Sequence, residues 1–179
     1  MPCAAVLELD AGAAAKVDRL SRRLERELDI ATERQRGAPV HLSLAVYTEL
    51  AVGRAEPAIR RFAAAVAAMP IELAGIGVFP GAANVLYLAP VVREPLLAAQ
   101  RRWHRVAAGH HAACLPHYQP QTWVPHVTLA LHLSAAKAAA AVRLLAPRWR
   151  PIAGTLGSAA LIGFPPVKVA WRGALQEPR

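Results

Sequence analysis

Two hydrophobic periods alternate along this chain, and the switches between them divide it into strands and helices. Residues 4–9 are a short apolar run that predicts a strand. Over residues 11–30, Val17, Leu20, Leu24 and Leu28 recur at three- and four-residue steps, while Lys16, Arg19, Arg22, Arg23 and Arg26 take other faces. That spacing predicts an amphipathic helix with a solvated arginine face. Residues 35–39 read as a loop, after which the period changes to two. Residues 56–69 predict a second helix with Ile59, Phe62, Ala63 and Val66 inward, ended by Pro70. Residues 71–79 and 84–88 predict an antiparallel pair around the breakers Pro80-Gly81-Ala82-Ala83. A third helix is expected over 93–108, a proline-bearing loop over 110–121, and a fourth helix over 135–145 with Ser134 as its N-cap. Two strands, 154–162 and 167–175, close the chain.

Two of the period-two stretches are near copies. Val40-His41-Leu42-Ser43-Leu44-Ala45 and Pro125-His126-Val127-Thr128-Leu129-Ala130 both read His, apolar, hydroxyl, Leu, Ala. As strands they put His41, Ser43 and Tyr47 on one face with Leu42, Leu44 and Val46 behind. Likewise His126, Thr128 and His132 share a face, backed by Val127, Leu129 and Leu131. The two histidines are separated by nearly half of the 179 residues, the spacing expected if each half of the chain supplies one strand to a shared cleft. One imidazole can then accept a proton while the other donates one near neutral pH. An isolated His-x-Ser is more often a structural pair than a catalytic one; a second copy at half-chain spacing reverses that balance.

Composition narrows the partner more than the fold. The length suffices for a sizeable core without disulfides or metal. No apolar run approaches the roughly 20 residues needed to span a bilayer, and Met1-Pro2-Cys3 leads straight into a strand, so no membrane association and a cytoplasmic location are expected. Cys3 and Cys114 belong to no CxxC pattern and read as free thiols. A net charge of +9 favours an anionic partner such as nucleic acid or a phosphate ester.

At the two His motifs, residues 41–44 and 126–129, the chain resembles the 2H phosphoesterase superfamily. That group is named for paired His-x-Thr/Ser-x motifs and includes 2′-5′ RNA ligase-like proteins and cyclic nucleotide phosphodiesterases. The resemblance extends over roughly residues 3–175 and also takes in Gly75-Ile76-Gly77-Val78-Phe79, followed by Val85-Leu86-Tyr87-Leu88. It implies an α+β fold of two pseudo-symmetric lobes, each an antiparallel sheet with outer helices, facing across a central cleft, with residues 1–179 as one bilobal domain. It implies His41 and His126 as acid and base, Ser43 and Thr128 as phosphate-binding hydroxyls, and metal-independent chemistry with no cofactor. The substrate it implies is an RNA terminus or a small cyclic-phosphate nucleotide, with no obligate protein partner.

This chain departs from many such proteins, which carry a cation shortly after one or both motifs. Here those places hold Ala45, Val46, Ala130 and Leu131, leaving Arg54, Arg101 or Lys168 as substitutes from elsewhere. Tyr47, Tyr118 and Trp123 are candidates to stack on a base at the cleft mouth, with a core role for Trp123 as the alternative. His110, His111, Cys114 and His117 gather potential zinc ligands in one loop, but their spacing matches no metal pattern, and a gating lip or solvent loop is the expected reading. The competing function is a nucleotide- or RNA-binding module that keeps the fold without turnover.

Overall fold

The computed structural model describes residues 2–49 and 52–177; of His111 and Ala112 it describes the backbone alone. In chain order the elements are β1 (Cys3–Leu9), α1 (Ala11–Leu28), β2 (His41–Tyr47), α2 (Val52–Ala63), β3 (Met69–Phe79), β4 (Asn84–Pro90) and α3 (Glu94–Val106). After short 3₁₀ turns over 108–113 and 116–118 come β5 (Val127–Leu133), α4 (Ala135–Leu145), β6 (Ile152–Gly163) and β7 (Lys168–Ala174).

The strands follow the path β2-β1-β6-β3-β4-β5, with β7 added beside β6, and every pairing is antiparallel. Each lobe takes one motif strand as its edge: β2 flanks β1 and β6, and β5 flanks β4 and β3. The two lobes join where the start of β3 runs beside the start of β6, from Met69 opposite Leu156 to Leu73 opposite Ile152. Although β2 and β5 end opposite sides of this path, they approach each other in space. The Glu33 N–H donates to the Leu129 carbonyl at 2.9 Å, and Trp123 Nε1 donates to the Ser43 carbonyl at 3.1 Å.

Helix starts follow their caps. The Asp10 side chain accepts from the Ala13 N–H at 2.9 Å and also from the Thr155 N–H, which ties the start of α1 to β6. Ser134 caps α4 by accepting from the Lys137 N–H, as its sequence position predicts. The second helix is displaced from its expected span: it covers Val52–Ala63, and Met69 already lies in β3. Past Ala63 the chain pairs instead of coiling: the Ala68 N–H donates to the Gln176 carbonyl at 2.8 Å, the Gln176 N–H to the Val66 carbonyl at 2.9 Å, and Met69 lies opposite Leu156 of β6, so these pairings outweigh local helix propensity. Val66 still reaches the core.

One main core lies between the sheet and the helices, with Trp103, Tyr47, Phe62 and Leu24 among its fully buried side chains. A smaller apolar patch of Ala4, Val6, Ala160 and Ile162, joined by Val46, covers the opposite face of the first lobe. No helix among the described residues is long and apolar enough to cross a membrane.

Candidate active site

Both motif strands carry the same irregularity at the same place. In β2, Ser43 pairs with Val6 while Ala45 pairs with Ala5, so Leu44 has no partner of its own. In β5, Thr128 pairs with Tyr87 and Ala130 with Leu86, leaving Leu129 unmatched. Each is a β-bulge directly after the hydroxyl residue, and each turns the side-chain alternation over at that point. His and hydroxyl therefore face the cleft before the bulge, while Ala45 and Tyr47 in β2 and Ala130 in β5, which strict alternation would put on the same face, turn into the core.

That inversion corrects one expectation. Tyr47 does not share a face with His41 and Ser43: it is 1% exposed, its ring packs edge-on to Trp103, and its hydroxyl accepts from Trp103 Nε1 at 2.9 Å. Burial pushes its pKa strongly up. Trp123 is likewise in the core, its indole spent on the Ser43 carbonyl. Tyr118 is the aromatic of the three that sits beside a motif histidine, its ring 6.2 Å from that of His126. Helix α3 sets it there, because both Gln100 Nε2 and His104 Nε2 bond the Tyr118 carbonyl, at 3.0 and 2.9 Å. Burial raises the Tyr118 pKa to about 12, so it stays a neutral phenol.

The two histidines are held alike. His41 Nδ1 lies 2.7 Å from the Pro39 carbonyl, and His126 Nδ1 lies 2.8 Å from the Val124 carbonyl, in each case the carbonyl two residues earlier. A carbonyl oxygen can only accept, so each Nδ1 carries the proton and each Nε2 is left with its lone pair. Burial is the largest influence on both pKa values and lowers them. For His41 the Pro39 bond and the Glu8 charge pull back upward; for His126 the Val124 bond does so, while the charges of His41 and His117 push further down.

Around His41 the first lobe presents two cross-strand rows. Ser43, Val6, Ala160 and Arg172 form one; His41, Glu8 and Ser158 form the next. Glu8 is 7% exposed, yet it is satisfied: Ser158 Oγ donates to it at 2.9 Å, Arg172 Nη2 donates at 2.8 Å, and Arg172 Nε lies 2.7 Å from its other oxygen. Around His126 the second lobe is aromatic. Phe79 stacks on Tyr87 at 4.2 Å, and both meet the His126 ring edge-on, at 4.9 and 5.5 Å. Gly77 makes room for this, since a Cβ there would lie 2.3 Å from the Tyr87 ring.

His41 and Ser43 on β2, His126 immediately before β5 and Thr128 on β5 are thus each half-buried. Glu8, Ser158, Arg172, Phe79 and Tyr87 are what sequence reasoning missed as site residues. Nothing local marks the first three, because Glu8 and Arg172 are 164 positions apart and meet only through the strand order. Gly77 and the aromatics are in the hairpin that the resemblance singles out. The suggested substitute cations Arg54, Arg101 and Lys168 are all exposed, Arg101 being paired with Glu94. His132 lies beyond a second register shift in β5, in the left-handed region at φ 58°, and is exposed. His110 bonds the Arg54 carbonyl, Cys114 is buried, and the His111 side chain lies outside the described residues. No three His, Cys, Asp or Glu side chains among the described residues are grouped to hold a metal.

Comparison with known proteins gives concordant results. The family described as the 2′-5′ RNA ligase superfamily matches residues 9–164. Among solved structures, TT0787 of Thermus thermophilus superposes with a TM-score of 0.68 at 19% identity, covering 100% of both chains. E. coli LigT complexed with 3′-AMP superposes at 0.64 and 16% identity, over 98% of this chain and 97% of that one. A structure described as a phosphoesterase gives 0.60 at 16% identity, over 98% of each chain. No curated protein matches. At these identities the structural likeness establishes the fold.

Proposed function

The chain belongs to the 2′-5′ RNA ligase superfamily, and from that premise we propose that it is a metal-independent phosphodiesterase that opens a 2′,3′-cyclic phosphate or a related phosphodiester at an RNA end or on a small nucleotide. The observation that carries this reading is the duplicated, bulged His-x-hydroxyl strand with both imidazoles tethered through Nδ1. Tethering leaves two Nε2 atoms, one at the start of β2 and one immediately before β5, as the proton-transfer groups of an in-line displacement.

In the hydrolytic direction His126 Nε2 takes the proton of a water as its oxygen bonds to phosphorus. His41, entering as imidazolium, gives its Nε2 proton to the departing ribose oxygen. This assignment is supported by the charges around each ring: Glu8 favours the charged form of His41, whereas His41 and His117 disfavour a charge on His126. The hydroxyls of Ser43 and Thr128 bind the non-bridging oxygens as charge gathers on them. Arg172, held on the cleft face by Glu8 in the row of Ser43, is the cation that stands in for the missing motif arginine. The apolar rings of Phe79, Tyr87 and Tyr118 around His126 offer a surface for a base. Bound nucleotides in LigT, namely 3′-AMP, NADP+ and ATP, agree with a ligand of this class. In ligation the two histidines exchange roles.

The test is phosphorus NMR of the protein with 2′,3′-cyclic nucleotides in the presence of a chelator. The wild type is expected to convert the cyclic phosphate to one monoester, and His41→Gln or His126→Gln to lower the rate by about 10²–10⁴-fold. Turnover equal in all three proteins would refute the two-histidine mechanism. Nucleotide binding with no turnover by the wild type would favour a non-catalytic binding module on the same fold.

A further inference from the structure

Outside the cleft, α1 and the segment after α4 enclose a depression of about 320 Å³. Five cations line it: Lys16, Arg19 and Arg23 from α1, and Arg148 and Arg150 from the turn before β6. Among the described residues no carboxylate lines it, and Arg23 alone of the five forms an ion pair, with Glu27 one turn along its own helix. Trp149 completes the wall. Its indole is fixed by donating to the Ala74 carbonyl at 2.9 Å, and its ring is half-buried against the core. The sequence pattern alone makes the α1 arginines a solvated face; the fold turns part of that face into one side of a groove.

Five like charges around one concavity repel one another and are held together at a cost that an anionic ligand removes. Four of the five are arginines, whose planar guanidinium grips phosphate oxygens in pairs. A concave site with one anchored indole suits a strand whose bases are free to stack; a flat bilayer surface or a fully stacked duplex fits it less well. A second depression, of about 360 Å³, runs along the other flank of α1, where Ala11, Ala14 and Asp18 lie, and reaches Glu8, Arg172 and Pro39 beside His41. Only the width of one helix, about 10 Å, separates the two.

We propose that the Lys16–Arg19–Arg23–Arg148–Arg150 groove binds the backbone of single-stranded RNA, holding the strand that leads away from the reacting terminus. The second clause rests on the phosphodiesterase reading; the binding itself does not. A labelled single-stranded RNA of 12 nucleotides with a plain 3′-hydroxyl end, which cannot react, is titrated by fluorescence anisotropy at several salt concentrations. The wild type is compared with Arg19→Gln/Arg148→Gln/Arg150→Gln and, separately, Trp149→Phe. Loss of three phosphate contacts predicts affinity reduced by about tenfold or more and a log–log salt slope smaller by about 2, since each contact to a single strand contributes about 0.7. Thermal melting reports whether the variants fold, and turnover of a 2′,3′-cyclic mononucleotide, which does not reach the groove, is expected to be unchanged in them. RNA affinity and salt slope that are the same in the triple variant and the wild type would overturn the proposal, as would retention on anionic phosphatidylserine vesicles with no RNA binding. RNA binding lost in the triple variant supports the groove even if no mononucleotide is turned over, a result that would count only against the catalytic reading.

Discussion

At the scale of single residues, the site depends on two imidazoles whose chemistry is set by what touches them. Each is fixed as the Nδ1–H tautomer by a carbonyl two residues earlier, in the segment that leads into its strand, and each is buried enough for its pKa to fall below the ordinary value of about 6.5. A folded-state pKa below the unfolded one means that the unfolded chain binds more protons on the acid side. Their contribution to stability is therefore present above about pH 6.5 and is lost progressively as pH falls from there through the lowered folded-state values. Urea unfolding of His41→Gln/His126→Gln between about pH 7 and 5 should show a flatter loss of stability than the wild type; parallel curves would mean that these rings are not held neutral. Glu8 acts on His41 through charge, so Glu8→Gln is expected to move the alkaline limb of the rate profile to lower pH, a shift that a purely structural role would not produce. The Ser43 and Thr128 hydroxyls are testable by Thr128→Val against Thr128→Ser. The first should lower kcat by about 10²-fold and the second restore most of it, while equal rates in both would remove the hydroxyl from phosphate binding.

At the scale of elements, the paired bulges do the positioning. The period-two pattern of the motifs was readable, and so were the histidines, the hydroxyls and the cap at Ser134. The bulges were not, because an unmatched residue is defined by the partner strand: nothing in Leu44 or Leu129 alone distinguishes it from its neighbours. That is why strict alternation puts Tyr47 in the cleft while the fold buries it against Trp103. The same reason hides the end of α2, since the residues past Ala63 continue the apolar spacing of the helix but find partners elsewhere, Val66 and Ala68 at Gln176 and Met69 at Leu156 of β6. In the second lobe, Gly77 sets the Tyr87 ring against His126. Gly77→Ala should therefore destabilise by about 1–3 kcal/mol in chemical denaturation and also lower activity, because the displaced ring moves against Phe79 and His126. Unchanged stability would show that Tyr87 has room to yield.

At the scale of the molecule, a chain of +9 net charge gathers five of its cations in the groove on one flank of α1, while the depression on the other flank reaches Glu8, Arg172 and Pro39. The two-lobe plan was legible from the repeat, whereas the link between lobes through β3 and β6 and the meeting of Glu8 with Arg172 come from the sheet order. Under the proposed mechanism the same plan gives each lobe one proton-transfer group, so that neither lobe would be competent alone. The most direct test of this division of labour is the pH dependence of kcat/KM for a 2′,3′-cyclic mononucleotide in chelator, for the wild type, His41→Gln and His126→Gln. A bell is expected for the wild type, with its acid limb lost in His126→Gln and its alkaline limb lost in His41→Gln. A rate that climbs steadily through the imidazole range and is the same in all three proteins would contradict a mechanism built on two histidines.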